Sequence, residues 1–344
     1  MSSVVLNIDF NIDYKKFCNL ISFGHYRYVH INHSQLKDGN ELNMVRLARS
    51  NKELLKKLVF LTNNKFYAYV LREGVTSFVH ESALPNLWEP LKNKIYDIDS
   101  NGIVYQYTEA TQTFDKKLLI VFSQISPEPH TASLSRYFPK SFSTIDKYVG
   151  KNVSILRVAD IGGITGAFYL NTIAKPNNEE YIQALIKNIC DKNEIHRENV
   201  LLYGASKGGT GALYHGLLGN YKVVSVDPVL NDEYYITNLD DFHMTENIFP
   251  ESKFDKFSTL FNLKKRGETI SDIKIITSKN SEQYSYILEA IAPINDKVFI
   301  ISSLNNDIKK HPDVAPNSLH AITSLINLSL FDIQLKNEGI KYFI

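Results

Sequence analysis

The run Val200-Leu201-Leu202-Tyr203-Gly204-Ala205-Ser206-Lys207-Gly208-Gly209-Thr210-Gly211-Ala212-Leu213 constrains this chain more than any other stretch. An apolar segment ends at a glycine, a serine follows two residues later, and two further glycines lead into a segment that reads as helix. This G-x-S-x-G pattern predicts a buried strand that turns sharply into a helix and leaves the serine hydroxyl exposed at the turn. Side chains at Gly204 and Gly208 would collide with the neighbouring strand and helix. The same turn aims the Lys207 backbone N–H, at the helix N-terminus, to where an oxyanion would be stabilised. A bare match is common in glycine-rich turns; the strand before it and the helix after it give this one its weight.

The strand–helix rhythm around the turn extends over most of the chain. Leu118 to Phe122 and Val153 to Val158 are continuous apolar runs, as expected of strands buried on both faces. Glu179 to Cys190 has helical spacing with acidic residues in its first turn and Asn178 placed as a cap. Strands are expected at Val200–Tyr203, Lys222–Val226, Ile273–Thr277 and Val298–Ile301, with helices at Gly209–Leu218, Glu282–Ile291 and Leu319–Leu330. Such alternation predicts an α/β fold with a mainly parallel sheet flanked by helices, and the Ser206 elbow on it is the feature of an α/β-hydrolase-like arrangement.

Residues 1–115 differ. They are rich in tyrosine, phenylalanine and histidine, with short alternating segments at Phe66–Leu71 and Thr76–Val79 and helical spacing from Glu41 to Leu58. They are expected to form an N-terminal α+β accessory region, and residues 116–344 the catalytic domain. The segment 227–267 interrupts the rhythm with seven aromatics and no clear strand, so it is expected to be an inserted lid.

Serine is a poor nucleophile without an adjacent base, and the base needs an acid to hold its tautomer. In this architecture the chain order is serine, acid, histidine. Glu282, in the polar loop after Ile273–Thr277, is the first candidate for the acid, although it also stands where a carboxylate would help open the next helix. Asp227 is the alternative; Asp296 and Asp307 are weaker. His311, in the loop after the last strand, is preferred as base over His320 at the start of the final helix. The oxyanion hole is expected to combine the N–H of Lys207 with that of Gln124, Ser123 lying alongside. Arg157 and Asp160 are read as a pair shaping the cleft or as anchors of the Gly162-Gly163 turn. His30 and His33 lack further ligands at metal spacing, so no metal is expected.

Together, the Ser206 elbow, the Glu282 loop and the His311-Pro-Asp-Val-Ala-Pro segment resemble bacterial α/β-hydrolase-like polysaccharide O-acetyltransferases. These include the XcbB/CpsF-type capsular polysaccharide biosynthesis proteins and the acetyltransferase of the accessory secretion system for serine-rich glycoproteins. The resemblance covers roughly residues 116–335. It implies acetyl-CoA as donor, an acetylated Ser206, Glu282 and His311 as its partners, and a capsular polysaccharide hydroxyl as acceptor. Peripheral association with the capsule synthesis machinery fits the same implication. A carboxylesterase or deacetylase using the same triad, and a non-catalytic capsule assembly protein, are the alternatives. Lys207, Lys279, Lys309 and Lys310 are expected near the site, where CoA phosphates would meet them.

Charge adds little, since 38 Lys and Arg nearly balance 37 Asp and Glu, which gives no argument for nucleic acid. No apolar run approaches the ~20 residues of a membrane span. The N-terminus does not read as a signal peptide, and the two cysteines form no redox or metal spacing. A cytoplasmic location is the simplest expectation. The acceptor hydroxyl and the oligomeric state are left open.

Overall fold

The computed structural model describes residues 4–265, 270–333, 335 and 339–343. In chain order, β1 (Val5–Asp9), α1 (Tyr14–Phe23), β2 (Tyr28–Asn32), α2 (Met44–Leu47), α3 (Lys52–Asn63), β3 (Phe66–Arg72) and β4 (Val75–His80) come first. Their strands form a separate four-stranded sheet in the order β1-β2-β4-β3. The single helix expected over Glu41–Leu58 is two, α2 and α3. Asn43 and Asn51 each accept backbone N–H bonds and so cap a new start.

After α4 (Leu84–Leu87) and α5 (Glu89–Lys92), the chain enters the main sheet with β5 (Asp97–Ile98), β6 (Val104–Thr108), β7 (Lys117–Phe122) and β8 (Val153–Val158). Then follow α6 (Asn178–Asn193), β9 (Val200–Ala205), α7 (Lys207–Gly219), β10 (Lys222–Val226), α8 (Glu233–Leu239) and α9 (Lys253–Lys265). The chain closes with β11 (Ile273–Thr277), α10 (Tyr284–Ile291), β12 (Val298–Ser303), α11 (Leu319–Leu330) and β13 (Lys341–Phe343). The nine strands lie in the order β13-β12-β11-β10-β9-β7-β8-β6-β5. All pairings from β8 to β13 are parallel, and β6 and β5 run antiparallel at the far edge. Because β5 and β6 belong to this sheet, the two sheets divide before residue 97, not at the expected boundary of 115.

Each strand sends alternate side chains to opposite faces. Leu118, Ile120, Phe122, Val200 and Leu202 meet α6, α7, α9 and α10 in one core, while Leu119, Val121, Leu201 and Tyr203 meet α11 in another. Burial on both faces is why these strands read as unbroken apolar runs.

A third cluster joins the two sheets: Phe17, Val29, Leu58 and Phe78 pack with Ala132, Ile164, Met244 and Ile248. Arg136, 2% exposed, donates to the carbonyls of Ala68 (2.8 Å) and Ile164 (3.0 Å) across that contact. The segment after β10 contains two helices, α8 and α9, and no strand among its described residues; residues 266 and 267 of the expected lid lie outside them.

Candidate active site

Register alone brings the key loops to one level. Phe122 pairs with Gly204, Ala205 with Val226, Val226 with Ile276 and Thr277 with Ser302. Ser206 N–H then donates to Val226 O at 2.8 Å, and Asp227 N–H to Ile276 O at 2.7 Å. The residues that leave these strands at their C-terminal ends therefore converge on one point of the sheet edge.

Ser206 sits at φ 54°, ψ −121°, directly ahead of α7. Such a backbone costs on the order of 1–3 kcal/mol and persists only where packing enforces it. A Cβ at Gly204 would lie 2.1 Å from Gly208 O, and one at Gly208 would lie 2.3 Å from Phe122 O, so the turn closes only with glycine at both places. The elbow expected from the sequence is formed.

Ser206 Oγ lies 2.7 Å from His311 Nε2, and His311 Nδ1 lies 2.7 Å from Asp227 Oδ2. With a carboxylate as partner, Nδ1 carries the proton and donates, leaving Nε2 to accept from the serine hydroxyl. The imidazole is buried and the serine partly exposed, so the hydroxyl faces outward while its base is shielded.

The carboxylate on the imidazole is thus the alternative, Asp227, and not Glu282. Asp227 directly follows β10 at φ 45°, in the left-handed region that aspartate tolerates, and its short side chain reaches the ring from the strand end. Thr277 Oγ1 donates to Asp227 Oδ1 at 2.6 Å and Ser281 Oγ to Oδ2 at 2.5 Å. Glu282 turns to the same histidine at another point, accepting its backbone N–H at 2.6 Å. Thr277 and Ser281 were not singled out in the sequence; two hydroxyls beside a strand end carry no signal without knowing which carboxylate they face.

His320 is exposed on α11, away from Ser206's hydrogen bond. Both backbone groups expected opposite Lys207 in the oxyanion hole are already engaged: Ser123 N–H donates to Tyr169 Oη at 2.6 Å and Gln124 N–H to Ser141 Oγ at 2.9 Å. The N–H of Lys207 begins α7, a position that the helix itself leaves unpaired.

The Lys207 side chain is fully buried, with Nζ 2.8 Å from Asp160 Oδ2, so it belongs to the floor of the site and not to its rim. Asp160 also accepts the N–H groups of Phe168 (3.0 Å) and Tyr169 (2.9 Å). Arg157, the partner expected for Asp160, instead donates to the carbonyls of Ser141 and Phe142 at 2.5 and 2.9 Å.

The lid helix α8 lies over the histidine. Tyr235 packs its ring 6.3 Å from that of His311 and 4.0 Å from that of His243. Burial, followed by the nearby Asp227 and Glu282, pushes the Tyr235 phenol above its ordinary range. Beneath the lid, Lys253 Nζ lies 2.6 Å from Asp232 Oδ2 and over the rings of Phe168 and Phe249. Burial would raise the Asp232 carboxyl, but Lys253 and then His243 outweigh it and hold it at about 2.

Elsewhere, His33 is buried against Thr76 Oγ1 and His30 faces Asn7. Among the described residues no group of three or more potential ligands is placed to hold a metal ion, and no helix is long and apolar enough to cross a membrane.

A mainly parallel sheet, a strained serine at the end of its central strand β9 and a histidine and carboxylate from later loops define an α/β-hydrolase-like protein. This is the architecture on which acyl transferases and serine hydrolases are built. No protein-family profile and no curated protein sequence matches the chain. Solved structures similar to it include the capsule O-acetyltransferase of Neisseria meningitidis serogroup A, at 18% identity over 66% of this chain and 92% of that one, TM-score 0.47. Another is the Glycosylation Associate Protein (Gap123) complex from Streptococcus agalactiae, at 18% identity over 67% of this chain, TM-score 0.47. There the match spans 45% of the other chain, less than half its length. A third is FphF, a fluorophosphonate-binding serine hydrolase of Staphylococcus aureus, at 15% identity over 67% and 96% of the two chains, TM-score 0.49.

Proposed function

We propose that this protein is a serine-dependent O-acetyltransferase that moves an acetyl group from acetyl-CoA through Ser206 to a hydroxyl of a bacterial capsular polysaccharide. The observation that supports acyl transfer is the continuous relay Ser206–His311–Asp227, with both links at 2.7 Å. In this reading His311 Nε2 takes the Ser206 proton as Oγ adds to the thioester carbonyl, and Asp227 stabilises the imidazolium so formed. Collapse of the adduct breaks the C–S bond, and the departing CoA sulfur takes the proton back from His311. A sugar hydroxyl then gives its proton to His311, attacks the acetyl carbon and releases Ser206, which recovers the proton.

The Lys207 N–H is one oxyanion donor. Gln124 N–H serves as the second, because a developing oxyanion is a stronger acceptor than the neutral Ser141 hydroxyl it now meets. Lys309 and Lys310 are exposed on the loop that delivers His311, where they offer positive charge to the donor's phosphates.

The test is intact-mass measurement after mixing with acetyl-CoA, followed by addition of capsule-type glycans. A 42-Da gain is the expected mass of one acetyl group. It should appear on the wild type, be missing from Ser206→Ala, and be chased onto glycan. Loss of the acetyl group to water only, at a rate that no glycan alters, would make the protein an esterase. Normal glycan modification by Ser206→Ala would remove both enzyme readings.

A further inference from the structure

We propose that Glu282 is a positioning residue, and that the segment from Thr277 to Glu282 is a polar clamp that sets His311 against Asp227. This rests on the acyl-transfer reading above and deepens it.

His311 opens a single 3-10 turn (His311–Asp313), preceded by Lys310 in fully extended conformation. The first N–H of such a turn has no partner within it and must find one elsewhere. Glu282 Oε2 supplies it at 2.6 Å. The five residues before Glu282 hold the other half of the relay. Thr277 and Ser281 hydroxyls donate to the two oxygens of Asp227, at 2.6 and 2.5 Å.

The clamp also grips the histidine loop at two further places. Asn280 Nδ2 donates to Ile308 O at 2.9 Å, and Ser278 Oγ donates to Ser303 O at 3.0 Å. One short segment therefore touches the carboxylate, the histidine backbone and both ends of the stretch leading to the histidine. Nothing in that arrangement requires the Glu282 carboxylate to reach the imidazole or a substrate. It acts through the chain, by holding the Cα from which the ring projects.

The geometry separates two functions that one carboxylate usually combines. Asp227 orients the ring and answers its charge, while Glu282 fixes where the ring starts. Replacing Glu282 should therefore lower the rate of the chemical step without weakening substrate binding. A small displacement of a reacting group is enough to cost about 10- to 100-fold. Glutamine retains an acceptor oxygen at the same reach; alanine does not.

The experiment follows hydrolysis of p-nitrophenyl acetate by the full-length protein and, separately, the downfield NMR resonance of the proton between His311 Nδ1 and Asp227. Glu282→Ala should lower kcat about 10- to 100-fold with KM unchanged and weaken the resonance, its thermal unfolding showing that it folds. Glu282→Gln should stay within about threefold of the wild type and keep the resonance. Ser281→Ala, which leaves Glu282 in place, should weaken the resonance as well. An Ala variant with wild-type kcat and resonance would overturn the proposal. So would a Gln variant as inactive as Asp227→Asn, since Glu282 would then be acting by its charge. The resonance reads the clamp without any turnover, so ester hydrolysis that survives Ser206→Ala counts against the acyl-transfer reading and leaves the test of the clamp intact.

Discussion

Asp227 and Glu282 separate two roles that a carboxylate near a histidine can fill, and mutation should read the difference. Asp227→Asn keeps the size of the side chain but removes the negative charge and can turn an amide N–H₂ to Nδ1, favouring the wrong tautomer, so kcat should fall about 10³- to 10⁴-fold with the fold intact. Rates and circular dichroism on the same sample check this. His215, by contrast, is a structural histidine: Nε2 donates to Tyr169 O at 2.9 Å, and Nδ1 accepts from Gln183 at 3.0 Å. Burial lowers it from 6.5 to about 4. Below pH 6.5 the unfolded chain takes up a proton that the folded site refuses. Stability should therefore decline from pH 6.5 and level off below about 4, by about 3 kcal/mol in all. Urea titrations across that range should show a steeper decline for the wild type than for His215→Asn.

Among the elements, α8 is the one whose position the rest of the molecule decides. It has seven residues, too few to be stable alone. Its C-terminal carbonyls are held from outside: Arg49 donates to Leu239, Asp240 and Asp241, each at 2.9 Å, and its guanidinium lies over Phe242. A cation at that end also complements the helix dipole. From below, Asp232 is paired with Lys253. Arg49→Ala should loosen α8 without touching the relay, and limited proteolysis between residues 231 and 252 should then run faster. Lys253→Met should do more. It leaves the Asp232 carboxylate buried without its cation, a loss of about 3–5 kcal/mol by analogy with broken buried pairs, visible as a lower unfolding midpoint.

At the scale of the whole molecule, the four-stranded sheet is a support for the site and not an appendage. It helps bury Arg136 and shares a core with Met244 and Ile248 of the segment beyond α8, and the turn between α2 and α3 packed on it supplies Arg49 to the end of α8. Asn63 Nδ2 reaches Asn247 O at 3.0 Å across the same contact. A chain starting after His80 would expose that core and leave the Arg136 guanidinium without the Ala68 carbonyl. We expect such a fragment to bind a hydrophobic dye and to lose its cooperative thermal transition; a soluble fragment with a sharp transition would show the sheets to be independent.

The local pattern of the chain was enough to locate the elbow at Ser206, the buried strands and the histidine loop, because a strained turn and a two-faced strand each demand particular residues within a few positions. It ranked Glu282 ahead of Asp227, whereas Asp227 is the carboxylate on the imidazole, and it drew the region boundary at 115, whereas β5 and β6 already pair into the main sheet. Whether Asp227 or Glu282 meets the imidazole depends on strand register and on hydroxyls fifty residues further along the chain, and whether residues 97–108 join one sheet or the other depends on which edge is free to pair. Those choices are made between segments distant in sequence, where no short-range pattern of residues can carry them, and only the packed structure decides them.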